Sequence, residues 1–299
     1  MMRFVLSSPN AAVVQESGDE FDIKEMILHH LADSREWEHP FGVWHLPQFA
    51  PVHLGPITLD FSITKHVLFM MIAAVLVAIL LILAGQDAKR ERARGAERGP
   101  KGAANVVEAF ILFLRDEVAI RNIGHGGEKY VPYIVTVFFF VLFCNLLGLL
   151  PWGASPTGNV SVTAVLATLT FIIVEVTGMK ALGPVGYAKT IFFLPHGVPT
   201  IMKPIMLAIM TPVELLAKFT KPFALTMRLY ANMTAGHAVV LALTGLLVMS
   251  GLANSLWVAP APLLMAVGIM VLELFVALLQ AYIFAMLSAV FIGLIRHAH

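Results

Sequence analysis

Three things are scarce in this chain of 299 residues: charge, cysteine and catalytic signatures. Charged residues make up 13%, against roughly 25% in soluble domains. Hydrophobic residues make up 58%, where soluble domains carry about 45–50%. So little charge cannot cover a water-facing surface, and the fold class is therefore an all-α integral membrane protein. The single cysteine, Cys144, lies in an apolar run and excludes an internal disulfide. No HExxH, GxSxG or Walker loop occurs, which removes the motif-bearing zinc proteases, serine hydrolases and nucleotidases. The histidines at 29, 30, 39, 45 and 53 match no closed zinc spacing and read as a solvated or pH-responsive loop. No cofactor, metal or nucleic-acid partner is expected.

The charge that is present is unevenly placed. Residues 1–64 hold nine acids against three bases, and residues 85–102 hold six bases against three acids. By the positive-inside rule the second stretch is cytoplasmic and the N-terminus extracytoplasmic. Mitochondrial transit peptides are rich in arginine and poor in acids, the opposite of this N-terminus, which favours a bacterial inner membrane.

Long apolar runs organise the rest. Two regions are expected: an acidic extracytoplasmic segment, 1–64, broken by Pro40, Pro47, Pro51 and Pro56, and a membrane domain, 65–299. Spans are predicted near 67–84, 131–150, 160–179, 205–249 and 261–295, five crossings that leave the C-terminus in the cytoplasm. Residues 103–121 mix an apolar stripe with Glu108, Arg115, Asp116, Glu117 and Arg121, the pattern of a helix lying on the membrane surface. Residues 180–204, rich in glycine and proline, read as a loop. At about 1.5 Å per residue the last run alone is about 52 Å long, against about 30 Å of hydrocarbon. The last two helices are thus expected as a long, steeply tilted hairpin.

That hairpin holds the charges that need explaining. Arg228 sits in apolar sequence, cannot shed its proton at accessible pH, and is costly at bilayer depth. An ion pair with Glu214, or snorkelling from a helix end, is the structural alternative. At 100° per residue, Asn232 and Ala235 share the Arg228 face and His237 lies opposite. Glu214 joins the Arg228 face if Pro222 leaves the helical phase intact. Glu273 and Gln280, seven apart, share a face of the final helix. Antiparallel packing would bring His237 and Glu273 into one polar layer and turn Arg228 outward, towards something beyond this chain. Glu175 reads either as a headgroup-level acid or as part of the path, and Lys203, Lys218 and Lys221 as snorkelling residues.

The segment MRLYANMTAGH (227–237), with its arginine and the asparagine four on, resembles the most specific stretch of subunit a of the rotary F-type ATP synthase membrane sector. FCNLLGLLPW (143–152), PTGNVSVTAVLA (156–167) and LQAYIFAMLSAVFI (279–292) resemble further segments of that family, and the likeness runs from about 60 to 295. It implies a stator beside a ring of rotor c subunits, each with one membrane carboxylate. The stator is held by peripheral-stalk b subunits and linked indirectly to the catalytic head, so the chain is no enzyme on its own. It further implies two offset half-channels separated by Arg228, which favours the ionised rotor carboxylate and blocks a short circuit. The family sets a Glu/His pair in the outer half-channel. Here histidine stands at 237 and glutamate at 273, the swapped arrangement, and Gln280 occupies a polar position of the family's last helix. Glu214 matches a family carboxylate assigned to the cytoplasmic side.

Two other functions compete on residue types alone. A secondary ion-coupled transporter also places charges at mid-membrane, but typically shows paired halves, and none is visible. An intramembrane protease would need a third metal ligand beside His237 and Glu273.

Overall fold

A computed structural model describes residues 32–39, 42–49, 52–54, 57–59, 62–94, 103–150, 152–192, 202–249 and 260–296. His29 and His30, Arg98 and Lys101, the 193–201 stretch, and His297 and His299 lie outside the described residues. Six helices carry the architecture: α1 (Lys65–Arg94), α2 (Ala103–Phe113), α3 (Val131–Gly148), α4 (Val160–Ile191), α5 (Lys203–Met249) and α6 (Pro260–Arg296). Among the described residues, α1, α3, α4 and α6 are long and apolar enough to cross a membrane. The fifth long helix, α5, has 47 residues and carries Glu214, Lys218, Lys221 and Arg228 within it.

The core lies where α3 meets α6. Ala277, Ala281, Ala285 and Ala289 recur every four residues on α6 and are buried, with Phe284 and Ile292 beside them. Small side chains at that spacing let backbones approach closely, which is how helices associate where lipid offers no hydrophobic drive. Phe138 and Val141 of α3 fill the seam. The other face of α6 leaves Leu264, Val271 and Phe275 exposed, as a lipid or partner-facing surface requires. The end of α6 is pinned where Arg296 Nη2 donates to the His125 carbonyl at 2.7 Å.

Three elements differ from the sequence reading. First, α4 does not stop at 179. It continues to Ile191 through the stretch read as a loop, broken only at Gly183, whose φ of 71° relieves the clash that Pro184 imposes on a helical predecessor. Second, the basic stretch after 84 is helical as far as Arg94. Third, the 1–64 segment holds two short antiparallel hairpins in its described part: β1 (Glu36–His39) with β2 (Gly42–His45), and β3 (Val52–Leu54) with β4 (Ile57–Leu59). The first hairpin docks on the helices. Trp37 Nε1 donates to the Trp152 carbonyl at 2.9 Å, and its ring meets Phe69 of α1 edge-on at 5.7 Å. The 103–121 stretch is helical, with a π-helical section from Leu114 to Ile120. Leu114, Val118 and Ala119 are fully buried there.

Candidate functional site

Two contacts fix how α5 and α6 pass one another. Asn232 Nδ2 donates to Gln280 Oε1 at 3.1 Å, and His237 Nδ1 lies 3.9 Å from Glu273 Oε1. The position rises along α5 as it falls along α6, so the pair is antiparallel and the His237–Glu273 layer forms as the helical spacing required. Gly236 makes it possible. A Cβ there would collide with Glu273 Oε1, so only glycine lets the carboxylate lie against the α5 backbone. Glu273 Oε1 and Gln280 Nε2 are buried, and neither has a hydrogen-bond partner among the described residues. Native interiors rarely leave polar atoms so placed without a functional or solvent explanation.

Arg228 points elsewhere. It is exposed, and among the described residues its guanidinium makes no ion pair or hydrogen bond. Ala224, Ala231 and Ala235 are exposed around it, leaving a shallow, small-residue surface on each side of the cation.

Beyond Arg228, towards the start of α5, a cavity of about 880 Å³ opens between α4, α5 and α6. Glu175, Glu214, Lys189, Lys218 and Lys221 line it among apolar walls. Glu214 therefore lies with the cavity, not with the His237 layer. Lys218 does not snorkel. It is 7% exposed, lies 3.3 Å from Glu175 Oε2, donates to the Tyr187 hydroxyl at 2.8 Å and sits 4.3 Å over that ring. Glu175 is accordingly an ion-pair partner, not a free headgroup-level acid. Lys221 is exposed at the cavity edge.

Behind His237 runs a second polar set that helical spacing did not reveal. Ser155, Thr157 and Asn145 are all buried. The two hydroxyls are 2.7 Å apart, Thr157 donates to Asn145 Oδ1 at 2.6 Å, and Asn145 Nδ2 donates to the Ala277 carbonyl at 3.3 Å. His237 Nε2 faces this turn, next to Gly148 and Ser155. Asn145 and Thr157 both fall in segments quoted above for their likeness to a family, which is the signal that would have found them.

These features define a multi-pass, all-α membrane protein in which titratable side chains are arrayed through an apolar bundle on both sides of one exposed arginine. The family model for the ATP synthase A chain matches residues 67–293. A relative from Chlorobaculum tepidum named ATP synthase subunit a 2 is 45% identical over 292 residues, covering 97% of this chain and 78% of the relative. ATP synthase subunit a of Myxococcus xanthus is 49% identical over 268 residues, covering 85% and 84% respectively. That of Anaeromyxobacter dehalogenans is 42% identical, covering 96% and 74%. The chain belongs to the ATP synthase subunit a family and is a membrane-sector component of the F-type ATP synthase, which couples proton transport to ATP synthesis.

Proposed function

We propose that this chain is the stator of proton translocation, with Arg228 standing between two offset half-channels and facing the carboxylates of a rotor c-subunit ring. The observation that carries it is the Arg228 guanidinium, exposed and unpaired among the described residues on a helix face that it shares with Ala224, Ala231, Ala235 and the uncharged Asn232. A permanent cation at bilayer depth needs an anion, and the anion a rotating ring would offer is a carboxylate. Arg228 favours its ionised form. Because a guanidinium does not give up its proton, it cannot pass protons directly from one half-channel to the other.

His237, Glu273, Asn232 and Gln280 are assigned to the outer half-channel. Histidine exchanges protons near neutral pH, and the orphaned oxygen of Glu273 and amide of Gln280 suit a path that pairs with mobile protons and water in turn. Glu214, with Glu175 at the cavity of about 880 Å³, is assigned to the inner, cytoplasmic side. The N-terminal segment is then extracytoplasmic and the C-terminus cytoplasmic, in a bacterial inner membrane. Peripheral-stalk b subunits hold the chain against rotation, and the catalytic head does the phosphate chemistry. Each charge moved through 100 mV releases about 2.3 kcal/mol, summed by the ring into torque. Membership of the family leaves the transporter and protease readings without support.

The test is ATP-driven acidification of inverted membrane vesicles, wild type against Arg228→Ala, with assembly checked by blot. Loss of pumping in an assembled complex that still hydrolyses ATP is the expected result. Full pumping by the variant would sink the mechanism.

A further inference from the structure

Asp33 stands just ahead of the first hairpin and holds two helix starts at once. Its Oδ1 lies 2.8 Å from His66 Nδ1 and accepts from the His66 backbone N–H at 3.4 Å. Its Oδ2 accepts from Asn159 Nδ2 at 3.2 Å, and Asn159 is the N-cap of α4. His66, in the first turn of α1, is 5% exposed, deep for a side chain of its polarity. Burial pushes the Asp33 carboxyl up. The hydrogen bond and charge of His66, with Thr64 and the His66 backbone, outweigh that and hold it below its ordinary 3.8. An ionised Asp33 keeps Nδ1 of His66 as the donor and leaves Nε2 as the nitrogen that exchanges protons.

The pair also has somewhere to pass a proton. The turn Pro156–Gly158 packs against both α1 and α5. Asp33 ties His66 to Asn159, which directly follows that turn, and His237 Nε2 faces the same turn beside Gly148 and Ser155, so the two imidazoles approach one turn from different helices. A clamp needs only a hydrogen bond; it does not need a buried titratable ring tied to the turn that a second titratable ring faces.

We propose that the Asp33–His66 pair is the outermost proton-transfer station of this chain, His66 carrying protons between the aqueous face and the His237–Glu273 layer while Asp33 positions its ring. This rests on the half-channel reading above. A proton binds His66 Nε2, giving an imidazolium whose Nδ1–H stays on Asp33. The Nε2 proton then leaves towards His237 and the neutral ring is regenerated, with no other reactant. Among the described residues, the titratable groups bearing on the ring are Asp33 from the N-terminal segment and His237 from α5; Asn159 of α4 is uncharged.

The experiment is ATP synthesis by the whole complex in proteoliposomes, with pH on the Asp33 side stepped from about 5.5 to about 8, across the range in which histidine titrates. The membrane potential is adjusted to hold the driving force constant. For assembled His66→Gln, which keeps a donor for Asp33, synthesis should fall at least about tenfold at the alkaline end, the lower edge of what a positioned proton carrier contributes. It should fall much less at the acid end. Asp33→Asn should move the profile the same way by a smaller factor, and if that variant folds poorly His66→Gln carries the test alone. Wild type itself must show a limb in the histidine range, and a flat wild-type profile overturns the station. So does a wild-type profile from assembled His66→Gln while Arg228→Ala is dead at every pH. An Arg228→Ala complex that still makes ATP instead overturns the half-channel reading beneath it.

Discussion

The two ends of the α5–α6 pair solve charge burial in opposite ways. On the His237 side the polar groups are few and meet in close pairs, Asp33 with His66, His237 with Glu273 and Asn232 with Gln280, and His66 and Gln280 are buried. On the Glu214 side they surround a cavity of about 880 Å³, where Lys218 and Glu175 pair and Lys189 and Lys221 stand at the edges. On the proposed function, the first arrangement would pass a proton only between defined atoms. The second is wide enough to be filled by water and needs no such sequence of partners. Between them lies Arg228, the one site where neither arrangement continues. The proposed stator has to break its path somewhere, and the proposal sets that break at Arg228, where the character of the polar groups changes.

The largest way to disturb that division is to keep the charge and lose its permanence. Arg228→Lys should nearly abolish coupled pumping, because an ammonium in an apolar site can release its proton and a guanidinium cannot. Vesicles stripped of the catalytic head should then leak protons faster than wild type. Unchanged coupling would mean that a positive charge at this position suffices and that its permanence is not needed.

On the cavity side, Lys218→Met leaves the partly buried Glu175 without its cation and should cost stability, by less than the about 3–5 kcal/mol of a fully buried broken pair, read as earlier thermal unfolding of the solubilised complex. Adding Glu175→Gln should recover most of it, and failure to recover would show that Lys218 acts through Tyr187. On the contact side, Gly236→Ala forces a methyl onto Glu273. Overpacking of this kind costs about 1–3 kcal/mol and should slow pumping by more than it reduces assembly. Glu273→Asp, with a shorter side chain, should partly restore the double variant. Asn232→Ala and Gln280→Leu each remove the 3.1 Å hydrogen bond and should each cost only about 0.6–1.7 kcal/mol, with the double variant costing little more than either single one.

The smallest effect concerns pH. The Asp33 carboxyl is held below 3.8, so its ionised clamp contributes stability that is complete above 3.8 and lost as pH falls through the lower folded value. Fluorescence of Trp37, packed on Phe69, in a background lacking the other tryptophans should therefore hold steady down to that range and change below it. A transition centred above 3.8 would contradict the clamp.

What the sequence disclosed, and what it hid, follows from the range of each signal. Apolar length alone revealed the long helices, and the spacing of 100° per residue placed Arg228 outward and His237 towards Glu273. These depend on residues within one helix, or on two helices whose order is known. The extension of α4 was hidden because Gly183 and Pro184 read as a loop, whereas one residue of positive φ let the helix resume. Lys218–Glu175 and Asp33–His66 join positions 43 and 33 apart, and no periodicity connects partners on different elements. The Asn145–Thr157 bond crosses a proline- and glycine-rich turn, so its geometry waited on the turn. Of the proposed site, Arg228, Asn232, His237, Glu273 and Gln280 were legible as residues. Glu214 was legible as a residue but not as part of the cavity.

The most direct test of the central claim is whether the face around Arg228 meets the rotor. With Cys144 replaced by serine, single cysteines at Ala224 and Ala231, both exposed beside Arg228, would be oxidised in assembled membranes that also carry a cysteine beside the rotor carboxylate. The account predicts cross-links from both positions to the rotor subunit, and none from Leu169, which is exposed on α4. Cross-links from Leu169 with none from Ala224 or Ala231 would place the rotor on another face and contradict the role given to Arg228.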